Sequence, residues 1–184
     1  MTTKYVVIDL EAACWDKNDP NKQPHETIEI GAVLLNEDFV KIDQLDIFTM
    51  PKYNKILSNY CIDLTGITQE MLDTNAIPFP EAISILIHRI APTPNHMSEV
   101  VLCAWGDFDK NQLKKDCEEW NIEFPFTDEY INVKKEFSKV LGHKKCGLQK
   151  ACTLMALRFN GSPHRGIDDA GMVAEILYRI KKGQ

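Results

Sequence analysis

The segment Tyr5–Leu10, read YVVIDL, constrains this chain more than any other. Residues 4–10 are a near-continuous apolar run, the pattern of a central strand buried on both faces. Asp9 interrupts the run and Glu11 follows two residues later. On a strand, residues two apart leave the same face, about 6.6–7 Å from one another along the chain. The fold must therefore bury a strand whose carboxyl end carries two acids on one side.

The rest of the pattern supplies neighbours for that strand. Thr27–Leu35 and Lys41–Met50 read as two further strands, with Asn36, Glu37 and Asp38 as the turn between them. The chain thus opens as a three-stranded antiparallel meander. Asp16–Pro24, rich in Pro, Asn and Lys, reads as a loop. Thr68 can cap a short helix starting at Gln69. Pro80–Ile90 places Ala82, Ile83, Leu86, Ile87 and Ile90 at helical spacing. Val100–Trp105 reads as a fourth strand, Asp107–Trp120 as a helix and Tyr130–Val133 as a short fifth strand. Helices are expected over Lys134–Leu141, Gly147–Leu157 and Ile167–Lys181, the last stopped by Gly183. Hairpin strands followed by strand–helix alternation imply an α/β fold, a mixed five-stranded sheet with helices on both faces. At 184 residues the chain is expected to form one domain.

A net charge of −6 argues against a broad nucleic-acid-coating surface, whose footprint would be basic. It leaves room for an enzyme that grips a few nucleotides, because bound cations cancel local negative charge. Six cysteines without paired spacing fit reduced thiols in a cytoplasmic protein rather than a zinc site. No stretch approaches the ~18 uncharged apolar residues of a membrane span, and the N-terminal run is too short and acidic for a signal peptide.

Three further residues extend the acid pair. Asp107 follows the fourth strand and opens a helix, where an acid can equally be a plain N-cap; Asp109 is a nearby competitor. His164 and Asp169, if on one helix, would point about 140° apart. Pro163 and Gly166 instead keep His164 on a loop and leave Asp169 in the first turn of the final helix. Carboxylate oxygens suit hard divalent cations such as Mg²⁺. An imidazole beside them can take a proton from water. Together these parts read as a metal-dependent phosphodiesterase. Singly, each has an ordinary alternative as a solvated surface group. Glu29, charged in the middle of the second strand, has no assigned role.

The ordered set Asp9, Glu11, Asp107, His164 and Asp169 resembles the signature of the DEDDh 3′→5′ exonucleases, which have an RNase H-like fold. The segments HETIEIGAVLLN, LSNYCIDLTGIT, FPFTDEYINVKKEFS and GLQKACTLMALRFNGSPHRGIDDA are similar to the branch containing the histone-mRNA 3′ exonuclease and the enhancer-of-RNAi exonucleases. The resemblance implies two Mg²⁺ or Mn²⁺ ions held by Asp9, Glu11, Asp107 and Asp169, with His164 as general base. It implies that Glu11, Ala12 and His164 touch the terminal nucleotide and that the product is a nucleoside 5′-monophosphate. The implied partner is a single-stranded 3′ end, RNA favoured and DNA an open alternative. Ahead of the catalytic unit no accessory nucleic-acid-binding domain is expected. An idle binding module and an endonuclease of the same fold are the rival readings. Trp15, Trp105 and Phe108 are candidates to stack on a base, although Trp105 fits the core better. Lys110, Lys114, Lys115, Lys144, Lys145 and Arg165 are candidates to meet phosphates. Tyr178 is not spaced to replace the histidine as base.

Overall fold

The computed structural model describes residues 3–91 and 99–183. Its centre is β1 (Lys4–Ala12), which pairs antiparallel with β2 (Thr27–Leu35) on one side. On the other side β1 runs parallel to β5 (Val100–Ala104). Beyond β2 lies β3 (Lys41–Met50), antiparallel to it, so the expected meander is present. The expected five strands become six. Ile77–Pro78 adds a two-residue β4 parallel to the end of β3, too short for any periodicity to reveal. With β6 (Tyr130–Asn132) at the far edge, the order is β4-β3-β2-β1-β5-β6.

Strand alternation divides the core in two. Val6, Ile8 and Leu10 face a layer containing α3 (Phe79–Ile90) and α4 (Phe108–Glu119). Val7, Val33, Val101 and Cys103 face the opposite layer, built from α5 (Val133–Val140), α6 (Leu148–Leu154) and α7 (Gly166–Lys182). Asp9 and Glu11 follow Val7 at the period of two, so they point to the α7 side. A helix not expected from periodicity, α1 (Asn59–Thr65), is bounded by a Ser58 cap bonding the Cys61 amide and by Gly66 at φ 70°. The expected Thr68 cap opens α2 (Gln69–Asn75). Among the described residues no helix is long and apolar enough to cross a membrane.

Candidate active site

The carboxyl end of β1 outruns β5, whose pairing stops at Val7. That leaves Asp9 and Glu11 at the mouth of the sheet, Asp9 half-buried and Glu11 only 8% exposed. The β1–β2 register slips between Glu11 and Ala12, where Ala12 pairs with Thr27 after Glu11 pairs with Glu29. Such bulges re-aim side chains next to functional sites.

The structure does not bring the Asp107 side chain into the cluster. Its side chain is 53% exposed and turned toward α5, accepting from Asn132 Nδ2 at 2.8 Å and pairing with Lys135 Nζ at 3.1 Å. These partners hold its carboxyl below the ordinary range. Asp109 instead turns back to β1 and accepts from the Leu10 amide at 3.0 Å, with 4% exposure. The reason is helical geometry: two residues at 100° per step point to nearly opposite sides. A sequence signal for this existed. Asp109, Gln112, Leu113, Asp116 and Cys117 form the buried stripe of α4, and Asp107 is out of phase with it.

His164 and Asp169 come together as expected. His164 lies on the loop before α7 with φ 65°, in the left-handed region that His adopts more readily than most non-glycine residues. Asp169, in the first turn of α7, accepts the His164 amide through Oδ2 at 3.2 Å. Asp168 holds the same loop by accepting the Ser162 amide at 2.8 Å. One ligand atom each from Glu11, His164 and Asp169 lie within 4.8 Å of one another.

The acids strain against each other electrostatically. Burial pushes the Asp9 carboxyl well above its ordinary value, reinforced by the charges of Asp109, Asp169, Glu11 and Glu29. Glu11 rises to about 9 through burial and then the charges of Glu29, Asp169 and Asp109. Burial takes Asp109 to about 6 against the opposing Leu10 hydrogen bond. Asp169 also reaches about 6, burial outweighing the His164 amide. Asp169 Oδ1 is buried without a hydrogen-bond partner among the described residues, a rarity that asks for an explanation. Crowded hard oxygen donors with one lone acceptor fit a divalent cation.

Around this cluster the aromatic and basic candidates separate. Trp105 is in the core, its Nε1 donating to the Cys146 carbonyl at 3.3 Å. Phe108 is 50% exposed with its ring edge-on to His25. Lys110 lies over Tyr130 and Lys114 over Phe124. Lys115 donates to the His25 carbonyl at 2.8 Å. Arg165 is engaged by Glu29 at 2.9 Å and Asp46 at 3.5 Å.

The chain matches the exonuclease family RNase_T over residues 6–177. It is similar to 3'-5' exoribonuclease 1 of Homo sapiens, 31% identical over 182 residues that span 95% of this chain and 51% of that protein. It is also similar to ERI1 exoribonuclease 2 of Homo sapiens, 30% identical over 95% of this chain and 28% of that protein. The chain thus spans about half or less of these relatives. Among solved structures, the nuclease domain of 3'hExo, a DEDDh family member bound to rAMP, matches with a TM-score of 0.88 at 28% identity. That match covers 99% of this chain and 93% of the other. A correspondence that runs from the first strand into the last helix places this chain in the RNase_T exonuclease family, on the RNase H-like fold of the DEDDh nucleases.

Proposed function

We propose that this protein is a divalent-metal-dependent 3′→5′ exonuclease acting on single-stranded RNA or short 3′ overhangs. The observation that supports this reading is the grouping of ligand atoms of Glu11, His164 and Asp169 within 4.8 Å of one another, with a buried, unpartnered Asp169 oxygen and with Asp109 turned back to the Leu10 amide beside Asp9. Asp9, Glu11, Asp109 and Asp169 would hold two Mg²⁺ or Mn²⁺ ions, Asp109 taking the place expected for Asp107. When bound, such ions neutralise charge at the phosphodiester and make water a better nucleophile at neutral pH.

The chain's own residues do the rest. His164, on the exposed side of the cluster, takes the proton of the attacking water. Asp169 holds the His164 backbone while its other carboxylate oxygen faces inward, so one side chain couples the base to the acids. Glu11 orients the water or the terminal 3′-OH. The Ala12 backbone, beside the register slip, lies against the terminal nucleotide. Cleavage releases a nucleoside 5′-monophosphate and leaves a new 3′-OH. The preference for RNA is supported by the rAMP-bound relative. Residues 1–184 would act as one catalytic domain, in the cytoplasm, where a reducing medium suits its unpaired cysteine spacing.

The test is digestion of 5′-labelled single-stranded RNA and matched DNA with Mg²⁺ or Mn²⁺ and an EDTA control. A ladder shortening from the 3′ end with mononucleotide release, abolished by EDTA, is expected. Internal fragments would indicate an endonuclease of the same fold. EDTA-insensitive binding without release would indicate an idle module.

A further inference from the structure

Glu29 is the carboxylate that the proposed reaction leaves unused, and its surroundings are unusually complete. It lies on β2 directly opposite Glu11, and β2 is buried along all nine residues. Its side chain is fully buried. Arg165 grips it twice, through Nη2 at 2.9 Å and Nε at 3.2 Å, and the Gly166 amide donates to Oε2 at 3.0 Å. The same guanidinium reaches Asp46 at 3.5 Å and lies 5.4 Å from the Phe48 ring centroid. Register explains the grouping. Asp46 pairs with Gly31 and Phe48 with Glu29, so all these residues share the face on which α7 begins.

That seat is also close-packed backbone to backbone. A Cβ on Gly31 would lie 2.0 Å from the Gly166 carbonyl carbon, and one on Gly166 would lie 2.9 Å from the Asp9 carbonyl oxygen. The start of α7 therefore rests on the sheet beside Asp9, with Arg165 as its last anchored residue. Arg165 precedes the helix, and its carbonyl accepts the amides of Asp168 and Asp169 at 3.0 and 2.9 Å. His164 is its immediate neighbour. A desolvated ion pair adds little net stability, so its value here is geometric.

We propose that Glu29 and Arg165 are positioning residues: the fork that half-buried Arg165 closes on buried Glu29, seated on the Gly31–Gly166 contact, sets where Asp169 and His164 stand relative to the acids of β1. This rests on the exonuclease reading of the site and deepens it. Arg165 acts through its neighbours, without touching the nucleic acid. It also offsets part of the charge of Glu29, which stands opposite Glu11 across the β1–β2 pair.

The test compares wild type with Glu29→Gln and Arg165→Gln in two readouts, Mn²⁺ affinity by electron paramagnetic resonance and steady-state kinetics on single-stranded RNA. Both variants are expected to lose about 10–100-fold in Mn²⁺ affinity and in kcat, the range seen when partners of metal-binding side chains are removed. KM and its salt dependence should stay close to wild type. Unchanged Mn²⁺ affinity and kcat with only a lower Tm would overturn the proposal, leaving a purely structural pair. So would a rise in KM with a flatter salt dependence confined to Arg165→Gln, the mark of a phosphate contact. Should the Gln variants fail to fold, Arg165→Lys decides, because it keeps the charge but loses the fork. Wild-type Mn²⁺ affinity and kcat in that variant would overturn the proposal; a loss of both would support it. If wild type binds Mn²⁺ without releasing nucleotide, the exonuclease reading fails while the Mn²⁺ comparison still decides the clamp.

Discussion

Replacing Asp109 with Asn should stabilise the metal-free protein, and the gain should vary with pH. The Asp109 carboxyl is 4% exposed and titrates at about 6 against an ordinary 3.8, burial being the first cause. A raised folded value means the group does not oppose folding below pH 3.8 and opposes it increasingly as pH climbs through about 6. That interval corresponds to about 3 kcal/mol at most. Asn keeps an oxygen that can accept from the Leu10 amide, although as a weaker acceptor than a carboxylate. A chain of this length moves its Tm by about 2–4 °C per kcal/mol. The variant should therefore melt up to ~10 °C higher at pH 8 in EDTA, with the difference gone near pH 4. Melting followed by circular dichroism at pH 4, 6 and 8 measures this. Excess Mg²⁺ should raise the wild-type Tm more than the variant's, since a ligand of the native state alone stabilises it. A pH-independent difference, or a variant less stable at pH 8, would refute a buried charge held against its neighbours.

Other consequences are equally open to measurement. Because Glu11 titrates at about 9, Mn²⁺ binding at pH 7 should release about one proton or more, detectable by calorimetry in buffers of different ionisation enthalpy. Buffer-independent heats would contradict this. For the same reason Mn²⁺ affinity should rise with pH, more steeply below about 6, where Asp109 and Asp169 also give up protons on binding, than above it. Gly31→Ala forces a Cβ into the backbone of Gly166 and should cost about 1–3 kcal/mol or more, read as a lower Tm. An unchanged Tm would mean that α7 is not seated as tightly as its contacts indicate. His164→Asn should abolish most nucleotide release from single-stranded RNA; wild-type kcat in that variant would remove His164 as base.

Much of this arrangement is legible in the amino-acid sequence because its signals are local. The apolar run of β1, the strands β2 and β3 with the turn between them, and the caps Thr68 and Gly183 all follow from short-range rules, and each of these elements lies within a residue or two of its expected bounds. The breaking of helix between Pro163 and Gly166 likewise frees His164 to meet Asp169. What escapes is long-range or phase-dependent. Choosing Asp107 over Asp109 treats the strand exit as the site and ignores which side of α4 faces β1. Glu29 looks anomalous on a buried strand until Arg165, 136 residues away, is brought against it. The two-residue β4 exists only because β3 offers it an edge. The helix α1 is capped by readable residues, Ser58 and Gly66, yet is too short to show a hydrophobic period.

The most direct test sets Asp107→Asn beside Asp109→Asn and follows nucleoside 5′-monophosphate release from single-stranded RNA in Mg²⁺. Asp107 sits exposed with surface partners, so its variant should retain activity within a few-fold, as expected for loss of an exposed ion pair. Asp109→Asn should lose on the order of 10³-fold, the scale of several kcal/mol of charge stabilisation. Equal activity of the two variants, or loss confined to Asp107→Asn, would contradict a reaction centre built from β1, the buried side of α4 and the start of α7.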